Sequence, residues 1–227
     1  MTSQLKRLAG RLPIRYQQEL KRLHFGRMIR RGQFLSAEEH DQEYGRLHEW
    51  VSAGDWVVDV GANVGNYSGR LSQLVGRDGR VFSFEPVAET FELLTANMAR
   101  LPLRNISLFN AAASDAVGVR GMIVPMGDGQ LENRYMARLT DSGGGEFAVA
   151  CLTIDALELP RRISFVKIDV EGHELSTLKG MKRLLERDHP VLVVEGRESV
   201  VADYLAALGY GFQDHGRSPN RVFKARV

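Results

Sequence analysis

The chain has 227 residues and a mass of 25.4 kDa, with 44% hydrophobic residues, 26% charged residues and a formal net charge of +2. That length supports one sizeable core rather than two, and the composition excludes a disordered or fibrous chain. No apolar run reaches the roughly eighteen residues of a membrane-spanning helix, no secretory apolar segment is visible, and the lone Cys151 precludes an internal disulfide, so a cytoplasmic location is expected.

The charge is unevenly placed. Residues 1 to 32 carry nine of the 30 Lys and Arg but one of the 28 Asp and Glu, Glu19, which leaves the remainder net acidic. Within this stretch Leu5, Leu8, Leu12, Tyr16, Leu20 and Leu23 recur at steps of three or four, the spacing of an amphipathic helix docked on a larger body, and Pro13 argues for a break. We read residues 1–55 as a basic N-terminal helical arm. Its charge suits phosphates, peripheral contact with an anionic membrane surface, or an acidic face of its own body; a solvated arm is the plain alternative.

From Trp56 the pattern changes to apolar runs alternating with amphipathic stretches, the signature of strand–helix units around a doubly wound, mostly parallel sheet. Residues 56–227 are therefore expected to form one α/β domain. Strands are expected at 56–60, 80–85, 105–110, 164–168 and 190–195, and helices at 64–75, 87–100, 172–186 and 198–208. Between 115 and 153 the helical rhythm lapses, which predicts an inserted β-hairpin whose loop, Gly127 to Gly145, reaches over the site. The tail, with Gly209 to Asp214 and Arg221 to Val227 flanking "HGRSPN", reads as a C-terminal antiparallel hairpin.

The stretch "VVDVGANVGNYS" puts a buried strand ahead of the turn Gly61-Ala62-Asn63-Val64-Gly65 and a helix start, so a ligand is expected at the strand's carboxyl end. A dinucleotide turn would carry a glycine where Asn63 stands. Asp59 beside this loop disfavours a pyrophosphate and suits a cationic ligand, and S-adenosylmethionine carries an ammonium, a sulfonium and a carboxylate but no phosphate. The second strand ends in "FSFEP", placing Glu85 where a carboxylate accepts the hydroxyls of an adenosine ribose. An exposed strand-end acid is its plainer reading.

A second cluster, "FVKIDVEGHE", crowds Asp169, Glu171, His173 and Glu174 at the end of the fourth main strand, bordering the same crevice. Glu171 or His173 is suited to take a proton from an acceptor hydroxyl, and Asp169 to hold the acceptor or the ammonium. Helix capping by these acids is the competing reading. An oxygen-rich metal site from Asp169, Glu171, His173 and Glu195 is also weighed, but no metal is assigned.

Taken together, "VVDVGANVGNYS", "FSFEP", "FNAAASD", "LTID" and "FVKIDVEGHEL" resemble the FkbM family of S-adenosylmethionine-dependent methyltransferases over about residues 55 to 195. The resemblance implies a class I Rossmann-like methyltransferase fold and methyl transfer, usually to a hydroxyl of a sugar, glycan or polyketide. By position it implies that Asp59, Gly61, Asn63 and Gly65 hold the methionine end, Glu85 the ribose, and that Ala112 lies where the third strand passes the adenine. Asp169, Glu171 and His173 match its acidic signature. The expected function is thus O-methylation of a sugar, glycan or small-molecule hydroxyl with S-adenosylmethionine. The alternatives are a nucleic-acid methyltransferase, disfavoured by the lack of a base-flipping motif or aromatic platform, and a non-catalytic adenosine-ligand-binding protein.

Overall fold

The structure is a computed structural model and describes residues 12–36, 42–125, 136–140, 144–214 and 218–226. In chain order the elements are α1 (Ile14–Arg30), α2 (Gln42–Arg46), β1 (Trp56–Val60), α3 (Asn66–Val75), β2 (Arg80–Phe84), α4 (Ala88–Met98), β3 (Ile106–Phe109), β4 (Ala112–Ala113), β5 (Gly118–Ile123) and β6 (Arg138–Thr140). They continue with β7 (Phe147–Leu152), β8 (Ile163–Ile168), α5 (Glu174–Lys179), α6 (Lys182–Asp188), β9 (Val191–Glu195), α7 (Ser199–Ala207), β10 (Tyr210–Asp214) and β11 (Asn220–Ala225).

Seven strands form one sheet in the order β10-β11-β9-β8-β1-β2-β3, in which β3, β2, β1, β8 and β9 run parallel. The chain winds outward from β1 in both directions, as the alternation of apolar runs and helices requires. Central strands are buried on both faces. Val58, Val60, Val166, Ile168, Leu192 and Val194 join one core cluster, while Val57, Val81, Phe165 and Val193 join the cluster on the opposite face. The C-terminal hairpin closes one edge: β11 pairs antiparallel with β9, and β10 with β11.

One expectation is corrected, and the inserted hairpin is found in a larger setting. The helix expected over 172–186 is two helices, parted at Gly180 and Met181, whose φ of -124° leaves the helical ladder; Gly180 packs so closely that a Cβ there would lie 1.8 Å from the Ser114 carbonyl oxygen. The Gly180 carbonyl accepts from the Asp155 amide at 3.0 Å, and the Asp155 carboxylate then accepts from the Arg183 and Leu184 amides to start α6. The inserted hairpin is part of a separate four-stranded sheet in the order β4-β7-β5-β6, where β5 and β7 pair antiparallel and β4 runs parallel to β7. Of the expected loop from Gly127 to Gly145, residues 127–135 and 141–143 lie outside the described residues.

The basic segment divides by burial. α1 begins at Ile14 with Pro13 at its N-cap, so the proline stands at a helix start, where its missing amide hydrogen costs nothing; Leu5 and Leu8 lie outside the described residues. Phe25, Met28 and Ile29 of α1 pack on the cluster of Phe34, Leu93, Leu94 and Met98. Further on, Tyr44, Leu47, Trp50 and Val51 are buried in the same cluster as Val57 and Phe165, so residues 44–51 are built into the main core.

Candidate active site

The strands end in a polar row laid on an apolar one. Along β1, β2 and β8 the period of two puts Asp59 two residues after Val57, Ser83 after Val81 and Lys167 after Phe165, all on one face. The register sets Asp59 opposite Ser83 on one side and Lys167 on the other, and β9 and β11 extend the row by pairing Glu195 with Asn220. A cavity of about 350 Å³ opens above this row, a volume within the ordinary range for small-molecule sites. Its lining includes Asp59, Gly61, Asn63, Glu85, Ala112, Asp169, Glu171, His173, Lys167 and Glu195.

Asp59 is 1% exposed, and its Oδ2 accepts from Ser68 Oγ at 2.5 Å, with Ser68 and Ser83 hydroxyls 2.8 Å apart. Burial pushes its carboxyl up to about 6, against the pull of the Ser68 hydrogen bond and the Lys167 charge. Gly61 follows with φ +79°, and a Cβ there would stand 1.8 Å from the Asp169 carbonyl oxygen, so this close crossing of β1 and β8 tolerates no side chain. Asn63 adopts the left-handed conformation, φ 51°, which aims its amide at Glu85 Oε2, 3.0 Å away. Its Oδ1 is buried without a hydrogen-bond partner among the described residues. Gly65, φ +98°, starts α3 against Leu94 and Met98.

Glu85 is buried beyond the end of β2, where Oε2 accepts from Asn63 and Oε1 from the Val87 amide at 2.9 Å. Each oxygen keeps a second acceptor position. Burial pushes the carboxyl up to about 7 despite those two amide bonds. Ala112 opens β4 beside Cys151 and forms part of the cavity wall with Ala111 and Ala113.

The acidic cluster splits in two. Asp169, Glu171 and Glu195 converge, with one oxygen from each lying within 4.8 Å of the others. Glu195 shares a hydrogen bond with Asp169; that bond, burial and the Asp169 charge push its carboxyl up to about 8. Burial would raise Asp169 too, but the Lys167 ammonium, 3.3 Å away, and the hydrogen bonds from Glu195 and Lys167 hold it below the usual carboxylate range. The pair therefore holds one proton between its two carboxyls at neutral pH. Glu171, at φ 50°, is raised by burial and by the charges of Asp169 and Glu174. His173 does not join the three carboxylates: it precedes α5, and its Nε2 lies 3.0 Å from Ser114 Oγ, which in turn donates to Asp115. An oxygen-rich metal grouping is thus present without the imidazole weighed from the sequence.

Lys167, Asn220 and Glu43 are the residues that sequence reasoning left out of the candidate set, and Glu195 entered it only as a member of the metal grouping. Lys167 Nζ donates to Asn220 Oδ1 at 3.2 Å and lies 5.3 Å from the centroid of the Tyr67 ring. Asn220 Nδ2 donates to Oε2 of the fully buried Glu43 at 3.4 Å, and Ser218 Oγ donates to the same oxygen at 2.7 Å. A chain of alternating charge thus runs from α2 through the C-terminal hairpin to the cavity floor. A lysine inside the apolar run "FVKI" was its one visible signal.

A family model described as the methyltransferase FkbM domain matches residues 59–212. Hexuronic acid methyltransferase AglP of Haloferax volcanii is 30% identical over 150 residues, which are 65% of this chain and 58% of that protein, so the match leaves much of the relative's length uncovered. Among solved structures, methyltransferase FkbM from Methylobacillus flagellatus KT superposes with a TM-score of 0.54 at 18% identity, covering 81% of this chain and 50% of that one. Aeropyrum pernix fibrillarin, solved with natively bound S-adenosyl-L-methionine, gives a TM-score of 0.52 at 14% identity, covering 78% of this chain and 68% of that one. These two share the fold, a class I methyltransferase sheet.

Proposed function

The chain belongs to the FkbM methyltransferase family, and on that premise we propose that it moves the methyl group of S-adenosylmethionine to a hydroxyl of a sugar or glycan acceptor. The observation that carries the reading is the charge of the crevice. Five carboxyl groups, Asp59, Glu85, Asp169, Glu171 and Glu195, line it; even with one proton shared by Asp169 and Glu195 and Glu85 partly protonated at neutral pH, the remaining negative charge exceeds the single ammonium of Lys167 in the lining. Such a wall suits a cationic donor and repels a diphosphate.

The donor set fits the cofactor. Glu85 keeps free acceptor positions for ribose hydroxyls, and the Oδ1 of Asn63, without a partner among the described residues, calls for a donor such as an ammonium. When bound, S-adenosylmethionine supplies an electrophilic methyl on a sulfonium. Asp59, held by Ser68, and the Gly61 to Gly65 turn form the methionine side, and Ala112 the adenine wall. On the acceptor side, Glu171 takes the hydroxyl proton, its basicity raised by burial and by neighbouring negative charge. Asp169, kept ionised by Lys167, orients the acceptor, and His173 is positioned through Ser114 as the second candidate base. The sugar acceptor is supported by the name of the 30% identical relative.

Calorimetry with S-adenosylhomocysteine and NAD tests the donor half: the first binds and the second does not. Transfer of labelled methyl from S-adenosylmethionine to neutral and uronic saccharides tests the acceptor half. A label that survives alkaline hydrolysis marks an ether on a hydroxyl, whereas a label lost marks an ester and overturns the hydroxyl assignment. Glu171→Gln and His173→Ala should retain cofactor binding while turnover falls about a hundredfold or more for the true base.

A further inference from the structure

The outward face of α1 carries features that methyl transfer does not use. Its inward face is committed to the body through Phe25, Met28 and Ile29, and Gly26 sits against the Arg100 side chain. Facing out, Leu12, Tyr16, Leu20 and Leu23 follow one another at steps of four, four and three, and are 41%, 48%, 45% and 55% exposed. At that spacing Tyr16, Leu20 and Leu23 form one line along the helix, and Leu12 lies just ahead of its N-cap Pro13. Arg15, Arg27, Arg30 and Arg31 are exposed along the same helix and its end, and Glu19, the segment's lone acid among the described residues, is already paired with Arg22 at 3.0 Å.

We propose that this face seats the protein on an anionic phospholipid surface, with the leucine and tyrosine line entering the interface and the guanidiniums meeting headgroup phosphates. The proposal stands apart from the methyl-transfer reading. Apolar side chains in one row flanked by arginines match the chemistry of a bilayer surface, where acyl chains lie just beneath a layer of negative charge. A nucleic acid would use the arginines and leave the leucines in water. A second copy packed face to face would bury the leucines but oppose arginine to arginine. The contact is superficial, since no described helix is long and apolar enough to cross a membrane.

The test sediments the full chain with vesicles of phosphatidylcholine alone and of phosphatidylcholine mixed with phosphatidylglycerol. Binding to the mixed vesicles, weakened by salt and absent from the neutral ones, is the expected result. The double substitution Leu20→Glu with Leu23→Glu should lower the bound fraction by about tenfold or more, the scale of one leucine's lost burial. Unchanged melting and unchanged S-adenosylhomocysteine affinity verify that this variant folds; should it not fold, Leu23→Gln alone must still reduce binding severalfold. No binding to the mixed vesicles, or binding that both variants leave intact, overturns the proposal. So does a dimer, seen by light scattering, that the substitutions dissociate, or tight binding of an RNA oligonucleotide in place of vesicles.

Discussion

Lys167 Nζ lies 3.3 Å from Asp169 Oδ2, and the same buried ammonium reaches Asn220 Oδ1 at 3.2 Å. One cation therefore ties the tip of β8 to the C-terminal hairpin and sets the charge of the cavity floor. Lys167→Met removes it while keeping the volume. The Asp169 side chain is 40% exposed, so water relieves part of the loss, and the expected drop in unfolding free energy is about 2 kcal/mol, below the range for a fully buried pair. Urea denaturation reads this directly. Asn220→Ala, which leaves both charges in place, should cost about half as much.

If Glu85 holds the ribose as proposed, it should link cofactor affinity to pH. Its carboxyl titrates at about 7, and the ionised form is the better acceptor for ribose hydroxyls. Affinity for S-adenosylhomocysteine should therefore fall as pH drops through 7 and level off above it. Glu85→Gln should weaken binding by roughly 1 to 3 kcal/mol at pH 8 and flatten the dependence, since no proton is left to compete. Calorimetry of both proteins at several pH values checks it. A slope that survives in the variant assigns the titration to another group.

How much of this was legible beforehand depended on distance along the chain. The limits of β1, β2, β8 and β9 came within a residue or two because apolar runs and their Gly and Pro stops are local. Asp59 and Glu85 were visible for the same reason: each sits at the end of such a run. The row Ser83, Asp59, Lys167 crosses three strands, and its order is fixed by register, which no single stretch encodes. Glu43 and Asn220 meet although 177 residues separate them. The break at Gly180 is held by Asp155, remote in sequence, and Ser114 takes His173 away from the carboxylates with which the sequence groups it.

Two glycines separate steric need from mere presence. At Gly61 a methyl group would meet the Asp169 carbonyl at 1.8 Å on a backbone with φ +79°, and the atoms it meets are all Asp169 main chain that cannot swing aside. Gly61→Ala should destabilise by about 3 kcal/mol or more and abolish S-adenosylhomocysteine binding, because β1 and β8 must part at the cavity floor. At Gly118 a methyl meets nothing within 4 Å. Gly118→Ala should shift stability by no more than about 0.5 kcal/mol and leave binding unchanged. Thermal melts with and without ligand distinguish the two.

The raised carboxyls fix the sign of the pH dependence of stability. Asp59 rises from 3.8 to about 6, Glu85 from 4.5 to about 7 and Glu195 from 4.5 to about 8. Between the ordinary carboxylate range and those values the folded protein keeps protons that the unfolded chain has released. The stability these groups contribute is fully present below the unfolded values and is lost as pH rises through the folded ones. Asp169 and Asp115, which are lowered, act below that window, where their contribution is lost as pH falls. The ligand-free protein should thus become easier to unfold from about pH 5 to pH 8. Glu195→Gln retains a donor for Asp169 but has no proton to lose, so it should flatten the upper part of that decline. Urea midpoints across the window measure it, and a midpoint that climbs steadily toward pH 8 places the shared proton elsewhere.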